Sequence, residues 1–412
     1  MGFKMSILKV AVGMVMAMGA VINAQTLSKI QVTAGKTDRL NTPVWVELND
    51  ALAGQLAGGF GLQEAGKPVA AQLSVDKPPR LCWILAGTTK AGVVRTFELV
   101  KGPAPTGPEP VKLVKDDKAL EIAIGDRKIL RYNFAPVPPP EGQSPLYTRS
   151  GFIHPIWSPD QAVLTGIHAP DHIHHMGFWM PWTDTVFEGR KVDFWNLKDG
   201  KGTVRFKEFV DQQAGPVFGR FRVRQDHIDL KAPAGEKIAL NEVWDVLVWN
   251  TGDKSDFWIW DFTSTQRCAS NSPLELPAYR YGGVGFRATP EWKEGLADYL
   301  TSEGKTRKDG HGTRAKWCLI FGPTTKGPAG VLFMGHPLNH DFPEPMRLWP
   351  EGDIFFNFCP IQQNPWVFEP GKDYVFRYRL LVYNGTFAAE QAQQRWEDFG
   401  NPPTVTISSA ER

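Results

Sequence analysis

From residue 203 onward the chain alternates apolar and polar residues over unusually long runs. Thr203 to Val210, Gly219 to Ile228 and Lys237 to Trp249 all do so, and they are rich in β-branched and aromatic side chains. Phe257-Trp258-Ile259-Trp260-Asp261-Phe262 continues the set, and Lys316–Phe321, Gly330–Gly335, Asp353–Phe358 and Tyr374–Tyr383 follow. A period of two places alternate side chains on opposite faces of a sheet. Long antiparallel strands in this number bury their apolar faces only by packing sheet on sheet. The spacing predicts a single helix over 387–399, where Ala388, Ala392 and Trp396 share a face and Pro402 and Pro403 stop it. The fold class expected is therefore all-β, with a large antiparallel, supersandwich-like domain and one C-terminal helix.

Upstream of that region, residues 26–101 carry shorter alternating runs punctuated by turn residues. They read as an accessory sandwich, immunoglobulin-like in strand spacing. Residues 102–110 are rich in Pro and Gly and read as a linker, so that 111–412 forms the large domain. At the start of the chain, Lys4 and Lys9 precede an apolar stretch from Val10 to Val21 and a small residue at Ala24. This is a signal-peptide pattern over residues 1–24, with cleavage ahead of Gln25, and it predicts a periplasmic or extracellular protein. The apolar stretch is too short for a confident membrane span, and none is expected after cleavage. Formal charge is only +2 across 412 residues, which argues against nucleic acid as a partner. The four cysteines, Cys82, Cys268, Cys318 and Cys359, lie far apart and show no metal-ligand spacing. Disulfide pairing and free buried thiols both remain open.

Chemistry concentrates in one irregular connection. Pro170-Asp171-His172-Ile173-His174-His175-Met176-Gly177 holds three of the nine histidines, with His154 and His168 just upstream. Phe178-Trp179-Met180-Pro181-Trp182 and Asp193-Phe194-Trp195-Asn196 follow at once. Imidazoles supply acid–base groups near neutral pH and can ligate metals. Indoles offer flat apolar faces for a sugar ring. His172 and His175 are the candidate acid–base groups, with Asp171 orienting one of them. Trp179 and Trp182 are candidates for stacking. In an extended strand His172 and His174 share a side, and with a nearby carboxylate they are candidate ligands for a divalent metal, the sole cofactor suggested.

Two further clusters qualify. Tyr279-Arg280-Tyr281-Gly282-Gly283-Val284-Gly285-Phe286-Arg287 combines glycines that admit close backbone approach with arginine, and Arg287 is a candidate substrate clamp. It is no phosphate loop, because no Gly-Lys-Ser/Thr follows. His336-Pro337-Leu338-Asn339-His340-Asp341, followed by Trp349, places histidine, amide and carboxylate after a strand, and His336 and Asn339 are candidate binders of substrate oxygens. Glu242, Asp245 and Asp261 sit in apolar strands and either face solvent or line a cavity. All the clusters are expected to converge on one concave surface.

These motifs in order, from Thr33-Ala34-Gly35-Lys36 and Thr42-Pro43-Val44 through His154-Pro155, Asp171–Gly177, Asp193-Phe194-Trp195 and Tyr281-Gly282-Gly283 to His336–Asn339, resemble the secreted bacterial family labelled PmoA-like, or "methane oxygenase PmoA". The resemblance covers nearly the whole mature chain. The methane label does not carry over, because the membrane-bound methane monooxygenase subunit of that name crosses the bilayer repeatedly. The resemblance implies a protein of glycan-degrading bacteria whose β architecture is similar to the supersandwiches of sugar mutarotases, polysaccharide lyases and hydrolases. At fold level that is analogy, and no catalytic residue maps across. A secreted carbohydrate-active enzyme, hydrolase or lyase, with a carbohydrate partner is the expectation. The alternatives are a non-catalytic glycan-binding protein and a metal-dependent oxidoreductase.

Overall fold

The computed structural model describes residues 25–102, 107–252 and 254–409. Residues 1–24, over which a signal peptide is expected, and residues 103–106 of the expected linker lie outside the described residues.

The protein is all-β, and the long strands form one antiparallel sheet of eight. In order across it run Gly202–Gln213, Phe218–Asp229, Lys237–Trp249, Phe257–Cys268, Tyr374–Asn384, Gly327–Gly335, Trp317–Thr324 and Asp298–Thr301. Alternation decides what each face packs against. Trp244, Val246, Val248, Trp258, Trp260, Phe262, Tyr378 and Phe333 point to one side and join the main core. Trp249, Ile259, Leu381, Leu332 and Met334 point to the other.

A second eight-stranded sheet closes the main core. It runs Met346–Leu348, Phe355–Phe358, Val284–Arg287, Phe178–Trp179, Phe152–Ile156, Arg127–Asn133, Ala119–Ile124 and Val111–Lys115. Its inward residues include Phe178, Phe286, Phe356 and Phe358. Its outward residues include Phe152, Trp179 and Phe355, which belong to a separate small cluster with Met176 and Trp195. That outward face carries the site described below. Each buried aromatic ring removes roughly 150–250 Å² from water. Eleven of the fifteen tryptophans are buried, so the indole richness of the chain mainly builds its cores.

The back of the long sheet is covered by the helix Ala389–Gly400, through Ala392 and Trp396, and by the N-terminal sandwich, through Cys82 and Ile84. The helix starts two residues later than the spacing predicts; Ala392 and Trp396 share the buried face as expected, while Ala388 is the exposed N-cap. A second helix, Asp50–Leu56, is capped by Asn49, whose Oδ1 accepts from the Leu52 N–H at 2.8 Å. Its seven residues are too few to show a helical period.

The small sandwich pairs a sheet of Thr404–Ser409, Thr26–Thr33, Val94–Lys101, Phe60–Glu64 and Lys67–Val69 with one of Arg39–Glu47, Arg80–Thr89 and Ala71–Leu73. One boundary therefore differs from the expectation that 111–412 forms the large domain alone. Thr404–Ser409 returns to pair with Thr26–Thr33, and Val405 and Ile407 pack on the small core. The sandwich docks through Asp76, which accepts from Arg220 at 2.8 Å and Arg222 at 3.1 Å, and through Gln72, which bonds the backbone of Val217 and Phe218.

A candidate active site on the outer face of the second sheet

The chain leaves the strand Phe152–Ile156, forms a two-stranded ribbon of Ile167–Ala169 and His172–Met176, and re-enters the sheet at Phe178. Gly177 makes the re-entry possible. Its φ is +67°, and a Cβ there would lie 2.6 Å from the Ile153 carbonyl oxygen. The ribbon thus lies over the outward side chains of the sheet. It is irregular, with a register shift between Ile167 and Ala169 and a φ of +51° at His168.

That irregularity corrects the expectation that His172 and His174 share a side as in an extended strand, which would turn His175 away from them. All three rings meet: His172 lies 4.7 Å from His175 and 5.5 Å from His174, and His174 lies 4.8 Å from His175. A bulged, strongly twisted ribbon does not keep strict alternation. His175 is buried, stacked between His172 and Phe355 at 4.7 Å from each. Trp349 closes over His172 at 4.6 Å.

Beneath them, Arg287 is 1% exposed on the sheet's outward face. It donates to both carboxylate oxygens of Asp171, at 3.1 and 2.8 Å, and to Asp353 at 2.7 Å. His172 Nδ1 donates to Asp171 Oδ2 at 3.0 Å. Burial alone would raise the Asp171 carboxyl, but Arg287 and then His172 outweigh it and hold it below the usual carboxylate range.

Asp171, the three histidines, Trp349 and Phe355 line an open cavity of about 610 Å³. The rest of its lining includes Tyr279, Arg280 and Tyr281, then Asp193, Trp195, Asn196 and Lys198, and Arg347. Tyr281 donates to Asn196 Oδ1 at 3.0 Å, and Asn196 in turn donates to Asp193 at 2.6 Å. Burial, above all, raises the Tyr281 phenol, so it stays protonated at neutral pH. Burial and then His172 and Arg149 lower His174 to about 3. Burial and then the neighbouring histidines and arginines hold His175 well below its ordinary value. Both are neutral at pH 7.

Asp171, His172, His174 and His175 line the cavity together. Arg287 lies beneath them, buried and bonded to Asp171 and Asp353, so it fixes the ribbon rather than clamping substrate as expected, and four other candidates lie away from the cleft. Trp179 is fully buried beneath His175 and Trp195, 5.1 and 4.9 Å away. Trp182 is fully buried on the main-core side, its indole N–H bonded to Gln266 at 2.7 Å. Neither can stack on a sugar, because the side chains packed around each ring leave no face exposed. His336 and Asn339 do not line the cavity. They follow the strand Gly327–Gly335, which belongs to the long sheet, and so emerge beside the C-terminal helix. His336 packs on Phe399 at 5.0 Å, and Asn339 bonds Glu344 and the backbone of Arg377. The glycines before Arg287 serve packing rather than a ligand: a Cβ at Gly285 would lie 2.9 Å from the Trp195 indole, and one at Gly282 3.3 Å from Trp182. Sequence reasoning missed Tyr281, Arg280 and Arg347 as cavity residues. The first two stood inside a quoted motif, and Arg347 lies two residues before Trp349, the interval that returns a strand to the same face.

Among the described residues no three His, Cys, Asp or Glu side chains are arranged to hold a metal ion. His172 spends one ring nitrogen on Asp171, and His172 with His174 lacks a third donor, so the pair does not fit a metal centre. The acids in apolar strands are also engaged: Glu242 accepts from His227, Ser264 and Gln266 inside the main core, Asp245 pairs with Arg220, and Asp261 with Arg379. The four cysteines are free and buried. No helix among the described residues is long and apolar enough to cross a membrane.

Among solved structures, similarity is found to the heparan sulfate lyase HepC from Pedobacter heparinus, at 8% identity over 68% of this chain and 35% of that one, with a TM-score of 0.31. It is found also to a TPR-domain containing protein from Parabacteroides distasonis ATCC 8503, at 12% identity over 85% of this chain and 57% of that one, with a TM-score of 0.25. The chain thus spans well under two thirds of either, and likenesses this distant carry no functional argument. No curated protein matches it. Residues 119–397 match a family model, and that span contains every residue of the cavity. By that match the chain belongs to DUF6807, a family of unknown function.

Proposed function

We propose that this protein is a secreted carbohydrate-active enzyme that works on a glycan in the 610 Å³ cleft by acid–base chemistry. The observation that carries the reading is the Asp171–His172 pair, fixed by Arg287 at the mouth of a cleft walled by Trp349, Tyr279 and Tyr281. Asp171 accepts from His172 Nδ1–H, which leaves Nε2 as the basic nitrogen of a ring that lines the cleft. When His172 takes a proton, the Asp171 carboxylate compensates the imidazolium charge. Tyr281, protonated and anchored by Asn196, is the group suited to deliver a proton to a leaving oxygen. Half-buried Trp349 supplies the apolar face for a ring, the role expected of Trp179 and Trp182. His174 and His175, neutral and packed, position His172. The resemblance to the PmoA-like family and the signal pattern ahead of Gln25 stand with a periplasmic or extracellular site of action.

The test is incubation of the mature protein with a panel of glycans, with and without chelator, following product mass and the absorbance of unsaturated sugars. The expected result is turnover that chelator leaves intact and that His172→Ala reduces by ~10²–10⁴, with a melting temperature within a few degrees of the parent. Binding without turnover would replace the enzyme with a glycan-binding protein. Loss of turnover with chelator would favour a metal-dependent reaction.

A further inference from the structure

We infer that the cleft selects a sugar unit bearing an oxyanion, a carboxylate or a sulfate, and that Arg280 and Arg347 hold that group beside Tyr281. The inference rests on the reading of the cleft as a glycan site and names the class of glycan.

It follows from which charges in the cleft are already satisfied. Both lining carboxylates are occupied. Asp171 accepts from Arg287 and His172, and Asp193 accepts from the backbone N–H groups of Trp195 and Asn196 and from the Asn196 amide. The lining cations are not. Among the described residues the guanidinium groups of Arg280 and Arg347 and the ammonium of Lys198 make no hydrogen bond within 3.5 Å and no ion pair within 4.0 Å, yet all three residues line the cavity. The two guanidinium carbons lie 5.6 and 5.3 Å from the centroid of the same ring, that of Tyr281.

Two like charges beside one phenol, with no counter-ion, are unfavourable in the free protein. Burial and then Arg280 lower the pKa of half-buried Arg347. An oxyanion between them relieves both costs and matches the donor forks of guanidinium. The placement is built into the fold rather than into flexible side chains alone. Met346 and Leu348 point into the main core, so Arg347 between them points outward. The Arg280 carbonyl accepts from Gln362 at 3.4 Å. The neutral imidazoles complete the picture: His174 and His175 are discharged in a region where Arg149, Lys198, Arg287 and Arg347 all act against a further proton.

The experiment measures affinity for three tetrasaccharides of one backbone, uncharged, uronate-bearing and sulfated, by titration calorimetry with the mature protein. We expect a charged form to bind about ten-fold tighter or better, with the preference shrinking as salt rises. Arg280→Gln and Arg347→Gln should each remove much of that preference, and the double variant all of it, with affinity for the uncharged form kept. Preference for the uronate alone, the sulfate alone or both supports the inference and identifies the group. Neither arginine has a side-chain hydrogen bond or ion pair to lose, and exposed Arg280 serves alone should Arg347→Gln misfold. Equal affinity for charged and uncharged forms, or a preference that survives the double variant, overturns the inference and leaves the glycan reading standing. No binding to any of the three overturns both.

Discussion

Arg287 grips Asp171 through two parallel bonds, Nη1 to Oδ2 at 3.1 Å and Nη2 to Oδ1 at 2.8 Å, and so ties the histidine ribbon to the sheet beneath it. One partner is buried in the sheet face and the other stands at the turn of the ribbon, so the pair fixes where His172 points. Removing the guanidinium leaves Asp171 with His172 alone and Asp353 without this partner, but their side chains are 44% and 29% exposed and can rehydrate. Arg287→Met should therefore cost only about 1–3 kcal/mol. The larger effect is local: hydrogen exchange over 167–176 should accelerate and turnover should fall with it. Exchange in the ribbon identical to the parent's would show that Arg287 is not what holds it.

Two tryptophans separate platform from core. Trp182 is fully buried and bonded to Gln266, so Trp182→Ala should cost about 3–5 kcal/mol. Trp349 is half-buried against His172 and Arg287 at the cleft. Trp349→Ala should cost much less stability and weaken glycan affinity more. Melting and calorimetry on the pair decide it, and the reverse ranking would mean that the sugar does not stack on Trp349.

The strands and their inward faces were legible because alternation over thirteen residues, as in Lys237–Trp249, leaves one solution. The histidine ribbon was legible as a site because residue types that are rare together occurred together. What failed was direction. Trp179 and Trp182 look like an exposed aromatic run, yet the chain there is a sheet strand and its continuation, closed on both faces by layers that come from 195, 266 and 355. His336 resembled the other clusters in composition, but its strand belongs to the other large sheet. Which sheet a strand joins is a long-range property, and Thr404–Ser409 pairing with Thr26–Thr33 is the same problem at the chain's far end. Arg280 and Arg347 are 67 positions apart and were invisible as a pair until Tyr281 lay beside both.

The histidines give the protein an acid limb. Burial is the leading cause that lowers His174 to about 3 and His154 and His336 to about 4, against 6.5 in the unfolded chain. Between those values the unfolded state binds more protons, so this contribution is complete above about pH 6.5 and is lost as pH falls toward 4 and 3. Asp171, held low, adds a loss that begins only below about 3.8. Melting temperature should fall steadily from pH 6.5 to 4. His154→Gln, which removes one of the titrating groups, should make the slope shallower. A slope unchanged by that substitution would assign the acid limb elsewhere.

Glu344 has the opposite sign. Burial pushes its carboxyl up to about 7 despite bonds from Tyr378 and Asn339, so its contribution is present below about pH 4.5 and is lost as pH rises to 7. Asn339 serves this buried group and the Arg377 backbone, not a substrate. Asn339→Ala should cost about 1–3 kcal/mol and leave KM for the glycan where it was. A raised KM at unchanged stability would return Asn339 to the cleft.

The C-terminal strand should be separable from the site. Ile407 lies opposite Ile30 and Val405 opposite Val32, and both cover the core of the small sandwich. Ending the chain at Asn401 removes them and bares the edge of Thr26–Thr33, with its row of unpaired N–H and C=O groups. It spares the helix whose Trp396 N–H bonds the Gly335 carbonyl at 3.0 Å and covers the long sheet. It also keeps Arg39 paired with Asp398 at 3.2 Å. Limited proteolysis of the truncated chain should therefore cut first within 26–101 and leave the region from 111 onward protected, with glycan affinity retained. Ending the chain at Ala388 instead strips Ala392 and Trp396 from the back of the long sheet, and there the whole protein should lose protection together. Early cleavage near the histidine ribbon in the first truncation would mean that the small sandwich supports the cleft through the long sheet.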